Sequence, residues 1–257
     1  MRFRFSISGW LLCVAMLFAA PHAFATSITL GTASTYGLLT GTKETDTFSG
    51  GLKVTGNVGF GASSTVKFSG TNKITGNEYK DSGISTTGSA TITGSTVTQS
   101  MTQALTDATT ASTNAAALTA NLTTANNAIS ITSGQSLTIK ALTNLSENVL
   151  NISSLSLTSG TLTFDDNGYT GAKFIVNVTG AFTVGTSGSI KSLIQGIDGA
   201  TAADIIFNIE GTGSTVSLTG ANSTSMIGTI LAPSRNVSVG GNGTLTGALI
   251  AGVKSTI

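Results

Sequence analysis

Apolar and polar residues alternate along most of this chain in runs of three to six, with Gly, Ser, Thr and Asn at the breaks. This period of two predicts short strands joined by tight turns. Three runs repeat one another: Val149-Leu150-Asn151-Ile152, Ile175-Val176-Asn177-Val178 and Ile206-Phe207-Asn208-Ile209. Similar strands recurring every 26 and 31 residues predict a solenoid in which each coil stacks on the coil before it. Toward the end the spacing tightens, with Gly228-Thr229-Ile230-Leu231 and Gly247-Ala248-Leu249-Ile250 continuing the series. Shorter strands lie between them, and others fill residues 26 to 98, as in Tyr36-Gly37-Leu38-Leu39 and Thr65-Val66-Lys67-Phe68. Asn151, Asn177 and Asn208 occupy one position of the repeat. They form either an amide ladder from coil to coil, each pairing its neighbour's polar group, or three ordinary turn asparagines.

The texture changes once. From about residue 99 to 129 there is no Gly or Pro, and the apolar spacing becomes three and four. Met101, Leu105, Ala108, Ala111, Ala115, Leu118, Leu122, Ala125 and Ile129 fall on one stripe of a predicted helix. Thr96 with Gln99, or Ser100 with Gln103, supplies a capping box. The other face is Thr and Asn, so the helix needs a surface to lie on. Thirty residues of helix span about 45 Å, close to the length of nine stacked coils at about 4.8 Å each. The fold class is therefore mostly β: a parallel β-helix with one long α-helix packed alongside.

The first 25 residues carry a different signal. Arg2 and Arg4 precede an apolar run from Trp10 to Ala20, then Pro21 and Ala23-Phe24-Ala25. A basic start, a short apolar stretch and a small-x-small site read as a secretory leader cut after Ala25, leaving one domain over residues 26–257. With the leader go His22, Cys13 and Trp10, each the sole residue of its type. Loss of two Arg leaves 10 basic side chains against 11 carboxylates, a formal charge of −1. Without His or Cys there is no imidazole base, no thiolate nucleophile and no usual zinc, copper or iron ligand. A near-neutral chain with Arg235 as its remaining Arg is a poor match for nucleic acid. No cofactor or metal site is expected, and the chain is not expected to span a membrane.

Phe174-Ile175-Val176-Asn177-Val178-Thr179-Gly180, Gly228-Thr229-Ile230-Leu231-Ala232-Pro233-Ser234-Arg235-Asn236-Val237 and Gly243-Thr244-Leu245-Thr246-Gly247-Ala248-Leu249-Ile250-Ala251-Gly252 resemble the choice-of-anchor A domain family. That resemblance covers essentially the whole of residues 26–257. It implies a secreted or surface-displayed β-helical domain of bacterial adhesin-like proteins. The final Lys254-Ser255-Thr256-Ile257 lacks the sorting motif such proteins use, so the resemblance implies no particular anchor. In architecture the chain also resembles microbial ice-binding proteins, which pair a β-solenoid with one helix.

Two motifs invite chemistry. Thr91-Ile92-Thr93, Thr96-Val97-Thr98, Thr161-Leu162-Thr163 and Thr244-Leu245-Thr246 are Thr-x-Thr units that can order water, but they do not recur at one coil spacing, and strands favour Thr anyway. Asp165-Asp166-Asn167-Gly168 opens like a calcium loop yet lacks the later Glu, and reads as a solvated turn. Catalysis would fall to Asp165, Asp166, Asp198, Asp204, Glu210 and Arg235, which are scattered singly rather than clustered. The reading is a non-enzymatic adhesive module, secreted or at the cell surface. It binds matrix, polysaccharide or a host surface through a broad Thr/Ser/Asn face, with ice binding as the alternative. No individual binding residue is singled out.

Overall fold

The computed structural model describes residues 28–256, apart from 42–44, 49–52, 63, 143–144, 146, 187–190, 221–223, 241–243 and 253–254. The leader, residues 1–25, lies outside the described residues, as does the Gly243 that opens one quoted segment. The strands are parallel and fall on three faces of a solenoid. Apolar side chains alternate inward and fill it: Phe48, Phe60 and Phe68 meet at centroid distances of 5.4 to 6.3 Å. Phe164, Phe174, Phe182 and Phe207 do the same further along.

The stacking order departs from the expected one. The first face runs through Glu147–Ile152, Lys173–Val178, Ile205–Ile209 and the ends of Ser225–Ala232 and Thr244–Ala251. It then continues into Tyr36–Thr40, Asn57–Phe60, Glu78–Lys80 and Thr96–Thr98. Leu38, Leu39 and Thr40 pair with Leu249, Ile250 and Ala251, so the first coil sits on the last. Coils stack on their predecessors within each block, but the two blocks join at a seam between the chain's two ends. Face two is a sheet of nine strands from Ala128–Ile131 to Ser85–Thr87, crossing the same seam. Face three carries Gln135–Lys140, Gly160–Asp165 and Ser192–Ile197 in one block and Lys53–Thr55, Asn72–Thr75 and Ala90–Ile92 in the other. Ser225–Ala232 and Thr244–Ala251 turn the corner from face three to face one at Gly228 and Gly247, at φ 117 and 141. At these angles a Cβ is strained.

A helix carries the chain back from one end of the stack to the other. It spans Thr102–Ala116, about half the predicted length. Ala104, Ala108, Ala111, Ser112 and Ala115 are its buried face. Met101, Ala104, Ala108 and Ala111 pack on Leu39, Leu231 and Ile250, while Ala115 meets Val149 and Ile175. Neither capping box is the cap: Met101 N–H donates to Asp81 (3.0 Å), and Gln103 turns instead to Asp107 (2.7 Å). Beyond Ala116 the edge strand Glu147–Ile152 competes for the chain. Asn121 and Leu122 donate their N–H groups to Val149 O, while the Asn121 side chain accepts from Val149 N–H and donates to Glu147 O. Capping an open strand edge satisfies backbone groups that a longer helix would leave bare. Leu118 is therefore only half-buried, and Ile129 enters the solenoid core in a strand.

The Asn series is a ladder. Asn208 donates to Asn177 (2.9 Å) and Asn177 to Asn151 (3.0 Å). The same amides also hold the helix: Asn177 donates to Ala115 O (2.8 Å), Asn208 donates to Ser112 O (3.0 Å), and Ser112 Oγ donates to Asn208 (2.6 Å).

Candidate functional site

The nine-stranded face is the most regular surface of the molecule. Along it the chain repeats an apolar–hydroxyl–apolar triplet: Ile129-Ser130-Ile131, Leu155-Ser156-Leu157, Phe182-Thr183-Val184, Val216-Ser217-Leu218 and Val237-Ser238-Val239. Almost every apolar member is buried, Val239 being half-buried. In a strand, the residue between two inward side chains must point outward. Register then aligns the middle residues. Ser130 pairs with Ser156, Ser156 with Thr183, Thr183 with Ser217, and Ser217 with Ser238. Ser238 pairs with Thr256 and Thr256 with Thr47 across the seam. Thr47 pairs with Lys67 and Lys67 with Thr87. The result is one rank of nine positions, hydroxyl residues at every one except Lys67, repeating at the parallel-strand spacing of about 4.8 Å.

Beside it a second rank, Thr45, Thr65 and Ser85, covers the end coils. Thr219 lies opposite Gly185 in the middle, and Ser217 and Thr219 share a hydrogen bond of 3.2 Å. At Gly185 a Cβ would lie 2.1 Å from Thr219 O, so no side chain rises there. The outward residues of this face are thus mostly short hydroxyls, with Lys67 the one outward charge among its described side chains.

Face three carries a shorter and broken row: Ser136, Thr161, Leu193, Ser225 and Thr244 stand in register over five coils, with Leu193 interrupting the hydroxyls. Its Thr161 and Thr163 align with Leu193 and Gln195, and Lys53 with Lys73. The Thr-x-Thr units are spread over two faces: Thr91-Ile92-Thr93, Thr161-Leu162-Thr163 and Thr244-Leu245-Thr246 begin in strands of face three, where Thr161 and Thr244 share a register row three coils apart, and Thr96-Val97-Thr98 belongs to face one. The hydroxyl row was missed in the sequence because it is built from single Ser or Thr residues; its legible signal is the apolar–hydroxyl–apolar triplet, which recurs in five of the nine strands.

Four of the polar candidates, Asp165, Asp166, Asp204 and Arg235, are tied into the fold, while Asp198 is exposed. Asp165 and Asp166 are buried rather than solvated. Asp165 accepts from Asn167 N–H (2.7 Å) and pairs with Lys140 (3.1 Å), and Asp166 accepts from Gly168 N–H (3.1 Å). The Asn167 N–H bond is the main reason the Asp165 carboxyl lies below its usual range. Asp204 pairs with Lys173 at another corner. Arg235, buried, donates to the carbonyls of Thr179, Glu210, Gly211 and Ser214, welding three coils. Burial raises the Glu210 carboxyl. Among the described residues no three acidic, His or Cys side chains gather as a metal site. The larger groove, ≈ 630 Å³, is the open end of the stack, lined by core residues such as Ile129, Leu137 and Leu150.

Residues 23–253 match the model of the ice-binding-like adhesive domain family, and the chain belongs to that family. No curated protein matches the sequence. Among solved structures it is similar to an ice-binding protein from an Antarctic Biological Consortium (TM-score 0.59, 23% identity, 90% of this chain and 87% of that one). It is also similar to an ice-binding protein domain of Shewanella frigidimarina (TM-score 0.59, 20% identity, 90% and 94%). A third is the ice-binding protein of the Antarctic ascomycete Antarctomyces psychrotrophicus (TM-score 0.54, 21% identity, 90% and 95%). At these identities the likeness is one of fold.

Proposed function

We propose that the chain binds ice through its nine-stranded face, exported from the cell after removal of residues 1–25. The observation that carries this reading is the rank from Ser130 to Thr87, one register position per coil over nine coils. A rigid row of hydroxyls at a fixed short repeat matches a surface that is itself repetitive, uncharged and made of hydrogen-bonding oxygen. A pocket ligand would instead need a concavity with convergent polar groups. The ranks of the two readings offered by the sequence are thereby exchanged: ice first, adhesion to matrix or polysaccharide second. Lys67, exposed within the rank, favours that second surface, because a charge is a poor fit to ice and a good one to an acidic polymer. Catalysis has no support in either reading.

The test is ice shaping and thermal hysteresis of residues 26–257. Thr183→Tyr and Ser217→Tyr, at the centre of the row, should abolish both while leaving the melting temperature unchanged. Thr161→Tyr on face three should leave activity intact. Equal activity in all three variants overturns the assignment of the face. A wild-type protein that leaves ice unfaceted but coats an acidic polysaccharide establishes the second reading instead.

A further inference from the structure

Three charged side chains follow one another along the start of face one. Glu147 begins the first strand and is 6% exposed, yet neither carboxylate oxygen has a hydrogen-bond partner. Lys173 is its register neighbour in the next coil, and Asp204 stands in the coil after that, just ahead of the strand Ile205–Ile209. All three border one cavity of ≈ 250 Å³, whose apolar walls include Ile175 and Ile206. Lys173 Nζ lies 2.5 Å from Asp204 Oδ1 and donates also to the Ala203 carbonyl at 3.4 Å. Asp204 Oδ2 accepts twice from Thr201, from its N–H (2.8 Å) and its hydroxyl (2.5 Å). An amine is thus held against one oxygen of a carboxyl group whose other oxygen sits between two donors. Burial raises the Glu147 carboxyl above its ordinary range. Burial raises Asp204 too, but the bonds from Lys173 and Thr201 outweigh it and leave that carboxyl below its range. Glu147 is therefore the stronger base of the two.

We propose that Lys173 and Asp204 join through an amide, Nζ to Cγ, made by the folded chain itself with Glu147 as proton carrier. The shared cavity gives the Glu147 side chain, held by no bond of its own, room to turn toward Nζ. Glu147 first moves a proton from the ammonium to Asp204 Oδ1, leaving a neutral amine and a neutral acid. The amine attacks Cγ, and the Nζ–Cγ bond forms while negative charge gathers on Oδ2. There the Thr201 N–H and hydroxyl already stand, which is how fixed donors lower such a barrier. Glu147 then moves a second proton from nitrogen to Oδ1, and the Cγ–Oδ1 bond breaks to release water. Two protons leave nitrogen and two reach oxygen, so no oxidant, reductant or activating group is consumed. Amide formation between free acid and amine is unfavourable in water, but well-oriented groups in contact act at effective concentrations of about 10⁵ M or more. The link joins residues 31 apart in neighbouring coils. In a chain whose one Cys is Cys13, ahead of the described fold, it does what a disulfide does in other exported proteins.

The experiment reads the intact mass and a tryptic digest of the purified folded chain. The wild type should be lighter than its sequence by one water. Unfolded and digested, it should resist cleavage at Lys173 and yield one branched peptide that joins Lys173 to Asp204. Lys173→Arg keeps the ion pair but lacks the nucleophile, and Glu147→Gln keeps both reacting groups but lacks the base. Each should show its full sequence mass and no branched peptide. A wild type at full mass overturns the amide. A loss of water that persists in Lys173→Arg lies elsewhere, as in ring closure at Asp198-Gly199, and overturns the site. A branched peptide that persists in Glu147→Gln overturns the part given to Glu147.

Discussion

Asn177→Ala isolates the amide ladder. The side chain is 1% exposed and makes three hydrogen bonds: to Ala115 O of the helix, to Asn151, and from Asn208. Ala115 O keeps a bond from Leu118 N–H, and the Asn208 amide keeps Ser112 O, so neither partner is stranded completely. At about 1 kcal/mol net per bond the loss is ~3 kcal/mol. For a domain of this size that lowers the melting temperature by about 6–12 °C. Asn151→Ala removes only the last rung, at an exposed position, and should cost less than ~1 kcal/mol. Thermal melts of both variants, with hydrogen exchange of the helix amides, test the argument. Exchange from Ala111 to Ala116 should accelerate in Asn177→Ala alone. Two variants that melt together would show that the helix is held by its Ala stripe and that the ladder is incidental.

Two further outcomes follow from the same geometry. Asp107 accepts from the Thr32 hydroxyl, the Thr32 N–H and Gln103, bonds that hold its carboxyl below the usual range. Its contribution is therefore present above the unfolded carboxylate range and lost as pH falls through the lower folded value, and a melting profile of Asp107→Asn should lack that acid step. At the corner beyond the seam, a Cβ on Gly41 would lie 1.5 Å from Gly252 O, whereas one on Gly83 meets nothing within 4 Å. Gly41→Ala should expose the first coils to limited proteolysis, while Gly83→Ala, strained only by its φ of +82, should cost about 1 kcal/mol; equal behaviour would refute the seam.

Much of the fold is legible in the sequence because its period is local. Inward residues alternate within each strand, and the Val149, Ile175 and Ile206 segments share one inward–outward order. The seam is not legible, since nothing local marks Leu38 as the partner of Leu249; only the need of both end coils to cover an edge brings them together. The helix is placed correctly but drawn too long. Periodicity continues through Leu118 and Leu122, while the deciding fact is the bare edge of Glu147–Ile152, a tertiary demand. The hydroxyl row is half legible. Each triplet is visible, but the register that aligns Ser156 with Thr183 depends on turns of unequal length.

That alignment is what turns weak contacts into a surface. A single hydroxyl on a water-covered plane contributes little, because its bond to the surface replaces one to water. Nine positions act together only if they are already fixed before binding, so that no ordering entropy is lost on contact. The inward neighbours supply that fixity. A one-residue slip in Val216–Gly220 would turn Val216 and Leu218 out to solvent and Ser217 into the core, so in the five triplets each hydroxyl is held in register by the two apolar side chains that flank it. The seam extends the row from the later coils to the earlier ones, because Thr256 and Thr47 stand in register there. The ladder and the helix brace the adjoining face, and the surface inherits its regularity from packing elsewhere in the coil.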